Sequence, residues 1–293
     1  MRYARERLSG HASMSEAAGY KLVHLSPAAS RLGAVFARPK TIAVVCVVVL
    51  AGLGWITLGL QAASVSALDV LCRAFSGSGP VGAASIAVVA AMWGAMTLAM
   101  MLPSAAPMIL TYAEIADTAA RKGEPVVSPF MIAAGFTAVW FGFAVAATLA
   151  QLVLTRAALL DPITTSASGL FSGAIFITAG AYQFSSLKHA CLTQCQSPFP
   201  FFFSNWSTTP RGVFRLGVKQ GLYCLGCCWA MMLVMFAVGV MNVIWMAALG
   251  IVMTIEKIGT GKRFTYAVGV GLIAIGIAFV LSAFAVHWPG NII

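Results

Sequence analysis

The chain has 293 residues, 60% of them hydrophobic and only 9% charged, and a formal net charge of +10. Soluble domains average about 25% charged residues, so this composition excludes a soluble globular protein and describes an integral membrane one. The seven cysteines follow no secreted-type framework, which argues against a disulfide scaffold. The positive charge follows membrane topology, not nucleic-acid binding.

Residues 1–40 read as a basic cytoplasmic tail containing Arg2, Arg5, Arg7, Lys21, Arg31, Arg38 and Lys40. No compact signal peptide is expected, because the apolar run begins only near Thr41. His11 and His24 read as solvated tail residues. A first transmembrane helix is expected over residues 41–62, with Cys46 as a small hydrophobe. A loop holding Cys72 and Arg73 follows, and then a transmembrane bundle over residues 83–286. The fold class expected is all-α, a polytopic helical bundle of about seven spans.

The second span begins near Ala83 and carries MWGAMTLAMMLPSAAPM, residues 92–108. Met92, Met96 and Met100 climb one face, drifting by about 40° per step, while Met101 and Met108 point the other way. Pro103 and Pro107 are expected to kink the helix and free backbone carbonyls. Span three covers about Ser128–Leu154 and span four about Ser168–Leu187. Span five covers about Gly212–Val238; a tight turn at Gly239–Asn242 leads to span six, ending at Glu256 and Lys257. Span seven covers about Phe264–Ala285. Glycines at 135, 142, 169, 173, 217, 221 and 226 are helix-packing positions first, since small residues let helices approach closely in lipid.

Span five holds CLGCCWAMMLVM, residues 224–235. With Cys224 at zero on a helical wheel, Cys228 falls at about +40°, Cys227 at about −60°, Met231 at about −20° and Met235 at about +20°. Five sulfur-bearing side chains thus share one face. Thiolates and thioethers are soft ligands, and they select soft ions such as Cu(I).

Charge asymmetry sets the orientation. Of 18 Lys and Arg, only Arg73 and Arg156 fall on the side opposite the N-terminal tail, which places the N-terminus in the cytoplasm. Counting in from the two ends puts Met92–Met101 and Cys224–Cys228 both roughly 15–25 Å deep, near the bilayer midplane. If the two helices are neighbours, they line one buried site.

A third constellation, KHACLTQC (188–195), is expected at the cytoplasmic end of span four. Cys191 and Cys195, i and i+4, with His189 nearby, have the donors and spacing of a metal exchange site. The SPFPFFF segment (197–203) is expected to lie at the interface. Glu256 and Lys257 would ordinarily be interfacial or snorkelling charges.

The series AMWGAMTLAMMLPSAAPM, AYQFSSLKHACLTQCQSP and GLYCLGCCWAMMLVMFAVGVMNVIWM, followed by Glu256 and Lys257, resembles a bacterial family of metal-binding integral membrane proteins. Its members include membrane copper chaperones associated with tyrosinase maturation. The resemblance covers roughly residues 83–280 and implies copper and a role in its handling or in enzyme maturation.

The resulting expectation is a multi-pass protein of the bacterial inner membrane, in contact with membrane lipid, that holds Cu(I) for a cuproenzyme client such as a tyrosinase-like oxidase. Its holding site would be Cys224, Cys227 and Cys228 with Met231 or Met235, completed by Met92, Met96 or Met100. Cys191 and Cys195, with His189, would exchange the ion. No acid–base pair or nucleophile–base arrangement points to an enzyme. A copper transporter or exporter, and a membrane thiol-disulfide oxidoreductase using the same cysteines, are the competing classes.

Overall fold

The structure, a computed structural model, describes residues 39–63, 83–157, 169–239, 242–259 and 261–286. The basic tail before them, Cys72, Arg73, His11, His24 and His287 lie outside the described residues, as does the side chain of Cys46. Nine α-helices occur among the described residues, with no strand. They are α1 (Pro39–Ala63), α2 (Ala83–Arg121), α3 (Pro129–Arg156), α4 (Gly169–Tyr182), α5 (Ser186–Gln196), α6 (Pro198–Asn205), α7 (Pro210–Val238), α8 (Val243–Ile258) and α9 (Lys262–Val286).

Five of these helices, α1, α2, α3, α7 and α9, are long and apolar enough to cross a membrane. The count is six if α4 and α5, bent by 64° across a short break, form one span. The expected count of seven therefore does not emerge. Span six corresponds to α8, which at 16 residues is about 24 Å long, short of the ~30 Å hydrocarbon core. Span four is not continuous. α4 stops at Tyr182, and Ser185 starts a new helix by accepting a hydrogen bond from the Lys188 amide at 3.1 Å, as an N-cap serine does.

Other boundaries are written in the same chemistry. Ser128, Thr209 and Asn242 cap α3, α7 and α8 with their side-chain oxygens, and prolines follow the first two caps at 129 and 210. Proline suits the first helical position because its missing N–H would find no helical acceptor there. Gly259 ends α8 at φ 97°, a backbone region that glycine enters without Cβ strain.

α2 runs unbroken for 39 residues through Pro103 and Pro107. Proline at 103 removes the N–H that the Ala99 carbonyl would otherwise accept. Trp55 Nε1 of α1 donates to that carbonyl at 3.1 Å, so the freed group is the point at which α1 docks. α3 and α7 pack backbone to backbone through glycine. A side chain at Gly135 would strike the Phe214 carbonyl, and one at Gly217 the Ile132 carbonyl, each with its Cβ at 2.2 Å. Gly173 and Gly180 do the same for α4 against α9. Gly142, by contrast, has open space around it and no packing contact among the described residues.

Candidate metal centre

α7 and α4 run antiparallel. Ser172 Oγ of α4 donates to the Ala237 carbonyl of α7 at 3.2 Å, and Tyr182 at the end of α4 donates to the Gly226 carbonyl. The break after Tyr182 therefore falls beside the middle of α7, and α5 turns across it there. As a result, KHACLTQC, expected at the end of span four, lies in the separate helix α5 packed on α7. Cys191 Sγ lies against Gly226, 2.6 Å from where a Cβ on that glycine would stand. One turn on, Gln220 Nε2 donates to the Gln194 carbonyl at 3.3 Å.

The thiols expected to form two separate sites therefore form one group. Cys224, Cys227 and Cys228 are buried and Cys191 and Cys195 half-buried, and all five are free. Cys227 is central. Its Sγ donates to the Cys224 carbonyl at 3.2 Å and stands 3.3 Å from Cys228 Sγ, while Cys191 of α5 lies against the neighbouring Gly226 and Cys195 of α5 lines a small cavity with Cys224. Among the described residues, no three His, Cys, Asp or Glu side chains converge closely enough to hold a metal ion as they stand. The thiols adjoin one another pairwise, packed as small apolar groups.

Other expected ligands are placed as follows. Met231 and Met235 are buried in α7, and Gln183 Nε2 donates to Met231 Sδ at 3.0 Å. His189 sets its ring edge-on to Tyr266 of α9 at 5.3 Å. α2 meets α7 antiparallel, with Trp93 against Phe236 at 5.1 Å. Further along, a small cavity of about 10 Å³ is shared by Ser104, Pro107 and Met108 of α2 with Cys195, Cys224 and Lys257. Met108 thus faces the cysteines across a space of about one water molecule, although the wheel pointed it away from the methionine stripe. Met100 instead faces Gly250 of α8. Met92 and Met96 lie 12 and 8 residues from Ser104, about 18 and 12 Å along α2, near the level of Met235 and Met231.

The charged end of span six departs further from the expectation. Glu256 and Lys257 are buried, not interfacial. Lys188 Nζ and Glu256 Oε2 form a salt bridge of 2.8 Å with both side chains essentially inaccessible, and Gln196 Nε2 donates to the Glu256 carbonyl at 2.7 Å. α5 is thus tied to α8 at both of its ends. Lys257 Nζ donates to Ser104 Oγ at 2.6 Å and to Cys224 Sγ at 3.0 Å. A helix of α8's composition gives no local sign of these partners, though two adjacent charges in an apolar run already mark a candidate functional position in a membrane segment.

Exposed basic residues lie close to the thiols along their helices. Lys219, exposed and bonded to Asn205 of α6, is five residues from Cys224, about 7.5 Å along α7. Lys262 and Arg263 are exposed at the start of α9, one turn before Tyr266. The thiols lie just inside this basic edge. The segment expected at the interface forms α6, which buries Phe202 against Tyr112 at 5.6 Å and exposes Phe203. It borders a roomier groove of about 630 Å³ with the end of α2 that contains no sulfur.

Membrane-length helices packed around adjoining cysteines and methionines define a helical membrane protein with a cluster of soft donors. The chain belongs to a copper chaperone family, PpoB2, whose sequence model matches residues 90–279 and so spans both cysteine helices and the buried lysines. No curated protein and no solved structure matches the chain.

Proposed function

We propose that this chaperone binds Cu(I) through the thiols of α5 and α7 and passes it to a cuproenzyme client such as a tyrosinase-like oxidase. The observation that carries the reading is the packing of α5 on α7 that sets Cys191 against Gly226 and Cys195 beside Cys224, next to the adjoining Cys227 and Cys228. Thiolate sulfur is the donor that Cu(I) prefers, and five thiols allow the ion to move by exchange of one ligand at a time. Ligation requires the protons of the bound thiols to leave and their side chains to rotate from pairwise packing toward a common centre. Met108 and Met231 are within the same surroundings as supplementary thioether donors.

The N-terminus and the basic edge face the cytoplasm of a bacterial inner membrane, following the distribution of Lys and Arg. α5 then presents the thiols on the cytoplasmic side, with one face of the helix exposed. Anaerobically purified protein loaded with Cu(I) tests the reading. Elemental analysis and X-ray absorption should find copper in an all-sulfur environment, and protein that retains no copper would sink it.

A copper transporter is the second reading, favoured by a different observation. Met231, Met96, Met235 and Met92 are all buried, at successive heights of about 10, 12, 16 and 18 Å from the level of Cys224 toward the opposite end of the bundle. Such a series offers thioethers along the way between the thiols and the far face.

A further inference from the structure

Lys257 is buried and, among the described residues, has no carboxylate partner of its own. The carboxylate next to it in sequence, Glu256, is engaged by Lys188, and the contacts of the Lys257 ammonium are the Ser104 hydroxyl and the Cys224 sulfur. An ammonium buried this way must be compensated by charge or hydrogen bonds, and the sulfur group is where compensating negative charge can arise. We propose that Lys257 is a specificity-determining residue, a fixed positive charge that makes the thiol site prefer a monovalent soft cation to a divalent one.

This inference rests on the Cu(I)-thiolate reading above. The argument is one of charge. Two thiolates, one Cu(I) and the Lys257 ammonium sum to zero, whereas a divalent ion in the same place leaves a charge of +1 in a poorly solvated interior. With three thiolates the totals become −1 for Cu(I) and 0 for a divalent ion, so net neutrality is not what decides; the repulsion between the Lys257 ammonium and the bound ion is larger by one unit of charge for a divalent ion at either thiolate count. Lys257 is 3.0 Å from Cys224 Sγ, so an ion bonded to that sulfur lies about 5 Å from the ammonium. At that separation and an effective dielectric of ~20, one unit of charge corresponds to roughly a hundredfold in relative affinity. Zn(II) is the apt competitor, because thiolate sulfur suits it too and ligand chemistry alone discriminates weakly.

The geometry gives two independent ways to remove the charge. Lys257→Gln retains a donor for Ser104 and Cys224 but is neutral. Ser104→Asp leaves the lysine in place and neutralises it from the other side. The experiment measures Cu(I) and Zn(II) affinities of the full chain in detergent, anaerobically, by competition with chromophoric chelators. Both variants should reduce the preference for Cu(I) over Zn(II) by roughly a hundredfold, and Lys257→Arg should retain it. An unchanged ratio in either folded neutral variant, or equal losses for both ions, overturns the proposal. A wild-type chain that binds no Cu(I) would instead overturn the functional reading on which it rests.

Discussion

The thiol of Cys191 fills the space that a side chain on Gly226 would need, 2.6 Å from the position of its Cβ. The glycine therefore sets how closely the thiol-bearing helix α5 approaches the thiol-bearing helix α7. Gly226→Ala should push the two apart, with a stability loss of about 1–3 kcal/mol from overpacking. It should also weaken copper retention while leaving all five thiols present. Thermal unfolding and copper stoichiometry measured on one preparation check this, and unaltered copper binding would show that the close approach is dispensable.

A second expectation concerns the tie between α5 and α8. Lys188 and Glu256 are both buried, and removing one partner of such a pair leaves a charge without compensation, at a cost of about 3–5 kcal/mol. Lys188→Met should destabilise the protein by that order, and Lys188→Met with Glu256→Leu should recover much of the loss. The denaturant midpoint in detergent provides the measurement. A double variant no better than the single would mean that the pair does more than neutralise itself.

Much of the architecture is legible in the sequence because apolar runs and helical periodicity are local. The face shared by Cys224, Cys227 and Cys228 is one result, and the packing role of Gly135, Gly217 and Gly173 another. What could not be read is set by remote partners. Residues 168–187 read as one apolar run, and the only local sign of a break is Ser185 in capping position. Glu256 finds Lys188 68 residues away, and Lys257 finds Ser104 153 residues away; no window around span six contains either. The rotation of α2 about its axis, which turns Met108 toward Cys224 and Met100 toward Gly250, is decided by α8 and by Trp55 of α1.

Replacing Cys224 and Cys228 together by Ser should abolish most Cu(I) binding while the protein still inserts, because both line the buried face of α7. Cys46→Ser and Cys72→Ser should change little. Copper stoichiometry of the purified variants is the test, and full occupancy in the double serine variant would remove the α7 thiols from the site.

Orientation can be read from thiol accessibility. A maleimide that cannot cross the membrane should label the half-buried Cys191 and Cys195 from the cytoplasmic side and leave the three α7 cysteines unmodified. Copper loading should protect Cys191 and Cys195. Labelling of Cys191 in intact spheroplasts would reverse the topology and place the basic edge outside.

The last expectation separates a chaperone from a transporter. With the thiols just inside the basic edge, about 7.5 Å along α7 from exposed Lys219, a client's ligand can approach through α5. Cys191→Ser with Cys195→Ser removes the two half-buried thiols of the group and keeps the three buried ones. In a chaperone, α7 should then retain a reduced complement of copper while client activity falls several-fold or more, and total cell copper should stay level. In a transporter the same substitutions should alter cell copper whether or not the client is present. Replacing Met92 and Met96 by Leu offers the complementary comparison. Those thioethers lie about 12–18 Å from the level of the cysteines, so a chaperone working at the basic edge should be indifferent to them, whereas transit toward the far face should slow. Cell copper and client activity, measured in strains with and without the client, discriminate the two. A client-independent change in copper accumulation in both variants would overturn delivery in favour of transport.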